Sequence, residues 1–305
     1  MDPFPFFVGT NGSGTTLHRA IFDSHPDLAI PGESRFIVRL SRNRRAYEKP
    51  GGFRQLIADL REESRLESWN LPLEKFEAAL LGQSVDDYPT AIRLLYRHYA
   101  ELRDKSRYGD KTQAYIHHLP LLAELFPEAR FVHVVRDGRD VALAHTDGAK
   151  IEEVALSWKR RVGAGRRAGL DLGPERYLES RYEDLIEDPP AAVRRLCAFL
   201  ELDFDPQMLR YYERADDLVA TTAKPDRHRD IFLPPTKGLR DWRRELTDDQ
   251  VARFEAIAGD LLDELGYERA FGRIHLSAKL AAWRHLAADT GRYALRRGRK
   301  LLRRG

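Results

Sequence analysis

The chain has 305 residues, 32% of them charged and 42% hydrophobic, with a formal net charge of +3. That length fits one large α/β domain or a domain with an appendage, and the composition is that of a globular protein rather than a fibrous or low-complexity one. No run of about 18 apolar residues occurs, which argues against a membrane-spanning helix, and the lone Cys197 leaves no partner for a disulfide or a cysteine metal site.

Phe4 to Val8 reads as a short buried strand that opens almost at the first residue, so no leader is expected and the cytoplasm is the expected compartment. TLHRAIFDSH reads as the helix behind it. Helical patterns over Phe53–Glu67, Leu73–Leu81 and Thr90–Arg103 predict a helical insertion near residues 50 to 105. Tyr108 to Lys111 predicts a brief strand, YIHHLPLLAELF a helix, and ARFVHVV a second β-rich run. Ile151 to Leu170 predicts a long helix and RYLESRYEDL a further strand. Pro189 and Pro190 open AAVRRLCAFLEL, a position where proline forfeits no helix hydrogen bond. Thr221 to Lys237, with Pro225, Pro234 and Pro235, has no periodicity and predicts a long loop; Asp248 to Gly266 predicts the last core helix. Strands alternating with helices predict an α/β fold with a mostly parallel central sheet flanked by helices.

GTNGSGTT, residues 9 to 16, lies between the first strand and the first helix, where a phosphate-binding loop belongs. Its backbone N–H groups and the helix dipole favour an anion, its glycines permit close approach, and Thr15 and Thr16 add hydroxyls. The plainer reading is a glycine turn. A triphosphate site needs a lysine and Mg²⁺, yet Thr15 stands where that lysine would be, and FVHVV runs into Arg136 before Asp137. The loop therefore predicts a smaller anion bound without magnesium.

GTNGSGTTLHRAIFDSHPDL, the GES at Gly32, the GDKT at Gly109, RFVHVVRDGRDVAL and GLRDWRRELTDDQVARFEAIAGDLLDELGYE occur in the order found in the PAPS-dependent sulfotransferases, which the chain resembles over roughly residues 4 to 270. PAPS is 3′-phosphoadenosine-5′-phosphosulfate, and the likeness is nearest to bacterial members and the tyrosylprotein branch. The resemblance implies a P-loop sulfotransferase fold in which Asn11, Gly12, Ser13, Gly14, Thr15 and Thr16 hold the 5′-phosphosulfate. Arg136 with Lys237 and Gly238 would hold the 3′-phosphate, and Tyr182 would lie near the adenosine. It also implies Glu33 as the base for the acceptor hydroxyl and Lys111 as the cation at the bridging oxygen. Read without the resemblance, Glu33 is a helix N-terminal acid, Lys111 a surface lysine after a turn, and Arg35 either an ordinary surface arginine or a partner for Glu33 or for an anionic acceptor.

Two positions depart from the family pattern: Gly12 stands where an Arg or Lys is usual, and Ala144 where a phosphate-binding serine is usual, with His145 and Thr146 adjacent. These keep a catalytically degenerate nucleotide-binding protein open as an alternative, beside a P-loop small-molecule kinase using Mg-ATP. His117 and His118 lack an i+4 partner, so no metal is expected. His133 and Cys197 read as packed residues, and Trp158 and Trp242 as core or cleft-lining aromatics.

From Gly272 to Gly305 ten Lys and Arg face one acid, Asp289, leaving the rest of the chain net acidic. Nucleic-acid binding by the main body is therefore not expected. Leu276, Leu280, Trp283, Leu286 and Ala287 fall at helical spacing with arginines opposite, the pattern of a helix lying on an anionic membrane, of a solvated helix packed on the domain or of a nucleic-acid-attracting patch. The expected organisation is a sulfotransferase domain over 1–271 and a basic amphipathic helix over 272–305. The expected reaction moves a sulfuryl group from PAPS to a small-molecule, carbohydrate, lipid or peptide acceptor, whether phenol, tyrosine, sugar or lipid alcohol.

Overall fold

A computed structural model describes residues 2–83, 85–145, 148–214, 229–236 and 238–285. Their contacts divide them into two compact units: the described residues of 1–135 and 164–239 form the first, and those of 136–163 and 240–305 the second.

The strands of the first unit are β1 Phe4–Gly9, β2 Leu28–Ala29, β3 Arg107–Tyr108, β4 Asp110–Lys111, β5 Ala129–Val135 and β6 Tyr177–Arg181. The main sheet has the order β4-β1-β5-β6 with every pair parallel, and β2 pairs with β3 in a second parallel ribbon. All of β1 is buried, as expected of a parallel strand covered on both faces. Its side chains alternate between two cores. Phe4, Phe6 and Val8 join Tyr96, Tyr115, Phe126 and Phe131, whereas Phe7 joins Ile21, Phe22, Val132 and Leu196.

The helices in chain order begin with α1 Thr15–Asp23, α2 Phe36–Leu40, α3 Arg44–Tyr47, α4 Phe53–Arg61, α5 Ser64–Glu67, α6 Leu73–Gly82, α7 Tyr88–Glu101 and α8 Leu119–Leu125. They continue with α9 Gly138–Leu143, α10 Ile151–Leu172, α11 Tyr182–Glu187, α12 Pro189–Leu200, α13 Trp242–Glu245 and α14 Asp248–Glu264. The expected insertion is thus α4 to α7. Three boundaries differ from the sequence reading. The helix expected over Phe53–Glu67 breaks at Glu63, which is extended (φ −84°, ψ 98°). YIHHLPLLAELF splits into a 3₁₀ turn, Gln113–His117, and α8. Pro120 lacks an N–H and its ring would clash with the carbonyl of Ile116, so one continuous helix is excluded. RYLESRYEDL is a strand only to Arg181, and Tyr182 begins α11. Cys197 is a buried free thiol, pushed up to about 12 by burial.

In the second unit the RDGRD motif builds the core. Asp137 caps α9 by accepting from the Arg139 N–H at 2.9 Å and clamps the Arg139 side chain at Nε (3.0 Å) and Nη2 (2.8 Å). That guanidinium is fully buried, donates to Glu255 Oε1 at 2.6 Å and lies 3.8 Å over the Trp242 ring. A Cβ on Gly138 would come within 2.5 Å of both Trp158 and Phe254, so only glycine fits there. Thr247 and Gln250 form a reciprocal capping box at the start of α14. Among the described residues no helix is long and apolar enough to cross a membrane.

Candidate active site

The loop between β1 and α1 is held open by its backbone. Gly12 (φ 86°) and Gly14 (φ 97°) are both left-handed, the conformation glycine adopts without strain. Gly12 therefore answers a backbone need, and an arginine or lysine there would carry strain. Ser13 ties the turn, donating from both its N–H (3.1 Å) and its hydroxyl (2.8 Å) to the Thr10 carbonyl. His18 braces it from below. Its Nδ1 lies 3.0 Å from the Gly14 carbonyl, which can only accept, so Nδ1 carries the proton and Nε2 accepts from the Ser180 hydroxyl at 2.9 Å. Burial holds this imidazole down at about 4, hence neutral. Tyr182 closes the other side, its ring against Gly14.

The features that remain suit an anion. α1 has no side-chain cap at its N-terminus, and its first N–H groups have no partner within the helix. The Thr10 hydroxyl is buried without a hydrogen-bond partner. The Thr15 hydroxyl accepts from Gln113 Nε2 at 3.0 Å, while Asn11 is exposed and Thr16 half-buried. Uncapped N–H groups, a spare hydroxyl and glycine-lined approach together make a place for an anion such as a phosphate.

Glu33 and Lys111 meet. Lys111 ends β4 opposite Phe7 of β1, and its Nζ lies 3.5 Å from Glu33 Oε1. The other carboxylate oxygen, Oε2, faces Arg35 and Arg65, each at 3.3 Å. Burial pushes the Glu33 carboxyl up, but Lys111 first and then Arg35 and Arg65 outweigh it, leaving the group below the ordinary glutamate value. Burial pulls Lys111 down against the upward pull of Glu33, with Arg19 adding to the depression. The pair is thus a carboxylate and a desolvated ammonium, each held below its ordinary value, the first by its cationic neighbours and the second by burial.

A buried polar relay fixes both residues. Tyr96 donates to Asp110 Oδ2 at 2.6 Å, and Thr112 donates to the same oxygen at 3.3 Å. Thr112 Oγ1 in turn accepts the Ser34 N–H at 2.9 Å, and the Ser34 hydroxyl meets Tyr115 Oη at 2.7 Å. The Gly32 carbonyl accepts from Trp69 Nε1 at 3.1 Å. The backbone on both sides of Glu33 is thereby tied to residues flanking Lys111 and to the insertion.

Arg136 belongs to the second unit. Its Nη2 donates to Asp140 Oδ2 (3.3 Å) and to the Arg240 carbonyl (3.4 Å), and its own carbonyl accepts from Trp158 Nε1. Gly238 is left-handed at φ 77°. Lys237 and Thr146 lie outside the described residues, as do Leu286, Ala287 and the loop over Thr221–Lys237 apart from 229–236. His133 is buried and bonded to the Tyr177 hydroxyl at 2.6 Å, a packed residue as expected. Among the described residues, no group of three His, Cys, Asp or Glu could hold a metal ion.

The profile described as "Sulfotransferase family" matches residues 3–206, and a "Sulfotransferase domain" profile matches 172–266. The chain belongs to the sulfotransferase family. It is 26% identical to protein-tyrosine sulfotransferase 1 of Danio rerio over 87% of this chain and 72% of that one. It is 25% identical to protein-tyrosine sulfotransferase A of Caenorhabditis elegans, over 87% and 67%. Its fold is similar to the sulfotransferase domain of the Synechococcus PCC 7002 olefin synthase, with TM-score 0.56, 22% identity, and coverage of 88% and 95%.

Several members of this candidate site give no usable signal in the sequence. Arg19 (Nε to the Ile30 carbonyl, 3.0 Å), Arg65 and Gln113 reach the site through tertiary packing. Asp110 could have been suspected, because an acid inside a strand otherwise built for burial needs partners.

Proposed function

We propose that the protein transfers a sulfuryl group from PAPS to an acceptor hydroxyl, with Glu33 as general base and Lys111 as the cation at the leaving oxygen. The observation that carries this reading is the 3.5 Å approach of Lys111 Nζ to Glu33 Oε1, on the strand next to the one that opens into the anion loop. When bound, PAPS supplies a sulfuryl group joined to a phosphate oxygen that leaves with negative charge. The loop N–H groups from Gly12 to Thr16 and the Thr15 and Thr16 hydroxyls would hold its 5′-phosphosulfate. Tyr182 would face the adenosine, and Arg136, Lys237 and Gly238 would hold the 3′-phosphate. Glu33, ionised at neutral pH, accepts the acceptor's proton. The Lys111 ammonium, already desolvated, offers its charge where it counts most as the bond breaks. The names of the relatives favour a phenolic acceptor such as a peptide tyrosine.

The test compares Glu33→Gln with Lys111→Met, assayed with PAPS and a phenol. Loss of the base should lower turnover about 10²–10⁴-fold with affinity for the bisphosphate product PAP unchanged. Activity of the Gln variant should recover as pH approaches about 10, where the phenol ionises unaided. Lys111→Met should lower turnover and weaken PAPS binding together, because part of its interaction exists before the reaction. Full activity of Glu33→Gln at neutral pH would remove Glu33 from the mechanism, and thermal stabilisation by Mg-ATP but not by PAP would point to a kinase instead.

A further inference from the structure

Residues 276–285 form a helix whose two sides differ in kind. Ala278 and Ala282 are 0% and 3% exposed, whereas Leu276, Leu280 and Trp283 are 72%, 47% and 67% exposed. At about 100° per residue the three large apolar side chains fall within roughly 60° of one another, and the two alanines lie on the opposite side. The helix is therefore anchored through small residues and turns its bulky apolar stripe outward. Lys279 and Arg284, both exposed, flank that stripe on its two sides.

We propose that this stripe is a docking surface for an anionic lipid bilayer. A tryptophan and two leucines between cations match the boundary between acyl chains and headgroups, where the indole sits with its N–H in the wet layer and the cations meet lipid phosphates. The charge pattern selects among occupants. A second copy of the chain would set Lys279 and Arg284 against their own kind, and a nucleic acid would leave Leu276, Leu280 and Trp283 without an apolar partner. The sequence beyond residue 285 carries seven further Lys and Arg against Asp289, which adds to attraction for an anionic leaflet.

The test uses the full chain with vesicles of phosphatidylcholine alone or with about one-third phosphatidylserine. Sedimentation should show binding to the anionic vesicles at least about tenfold tighter than to the neutral ones, falling with added salt. Brominated lipid should quench the protein's fluorescence through Trp283, because Trp69, Trp158 and Trp242 are 0%, 1% and 6% exposed. Replacing Leu276, Leu280 and Trp283 together by Ser should abolish vesicle binding without shifting the melting temperature, since the three side chains are exposed. Undiminished binding by the triple variant would overturn the proposal and leave attraction by charge alone. Equal binding to both vesicles would overturn the anionic requirement. Binding to RNA or duplex DNA lost in the same variant, or self-association lost in it, with vesicles ignored in either case, would reassign the surface.

Discussion

Tyr182 and Gly14 are matched to each other: a Cβ on residue 14 would stand 2.4 Å from Cδ2 of the tyrosine ring. Gly14→Ala therefore meets two obstacles, that ring and a φ of 97°. Left-handed strain alone costs about 1–3 kcal/mol. The variant should melt at a lower temperature and bind PAP at least about tenfold more weakly, read by calorimetric titration. Adding Tyr182→Ala should recover part of the melting temperature by removing the clash while leaving the strain. Wild-type PAP affinity in the single variant would mean that the loop does not hold the nucleotide.

Arg136 offers a charge that a 3′-phosphate would use and a 5′-phosphosulfate would not. Arg136→Ala should weaken binding of PAP roughly 10- to 150-fold, the range for a charged hydrogen bond. Binding of adenosine 5′-phosphosulfate, which lacks the 3′-phosphate, should change little. Equal losses for the two ligands would make Arg136 a structural residue held by Asp140.

Burial pushes the Asp110 carboxyl up to about 6 from the ordinary 3.8. The folded state thus holds this proton more tightly than the unfolded chain does. Its contribution to stability is complete below pH 3.8 and is lost as pH rises through about 6, by about 3 kcal/mol in all. Asp110→Asn removes that titration. Urea denaturation at pH 4 and pH 7 should show the wild type losing stability relative to the variant over this interval. His18 acts in the opposite sense, since its lowered value makes stability fall as pH drops from 6.5 towards about 4, but it is common to both proteins and cancels in the difference. A constant difference between the two proteins would place Asp110 in water.

In the second unit Arg139 neutralises two buried carboxylates, Asp137 and Glu255. Arg139→Met keeps most of the volume and takes this guanidinium away from both acids, while Glu255 retains Arg269 at 3.8 Å. The expected loss is about 3–5 kcal/mol of stability, the usual result of breaking a buried ion pair from one side. Denaturation followed by the fluorescence of Trp158 and Trp242 should report it; a loss below about 1 kcal/mol would mean that water reaches the cluster.

The parts of the fold legible in the sequence were those written in local chemistry. β1 and α1 were visible because an apolar run, a glycine loop and a helical repeat follow one another, and α12 because prolines mark its start. The break between α4 and α5 was hidden, since Glu62 and Glu63 are ordinary helix residues and the interruption is imposed by packing. Tyr182 was read into a strand because RYLESRYEDL alternates, although the chain turns helical at that residue. The approach of Glu33 to Lys111 was legible only through resemblance, because 77 positions of sequence separate two residues whose types are common on any surface. Their supports, Arg65 on Glu33 and Tyr96 on Asp110 beside Lys111, come from helices with no motif at all.

The register of β1 bears on how the molecule comes into being. It precedes both of its partner strands in the chain, yet it lies inside the sheet, with Phe6 paired to Asp110 on one side and Phe131 on the other. Each partner follows Phe6 by more than a hundred positions and is translated that much later. Closing such wide loops is slow compared with winding helices, so α1 and the helices of the insertion can wind while both edges of β1 remain bare. A nascent chain stalled before Ala129 would then expose the apolar segment FPFFVG to aggregation, and a chaperone-binding site is expected there during synthesis.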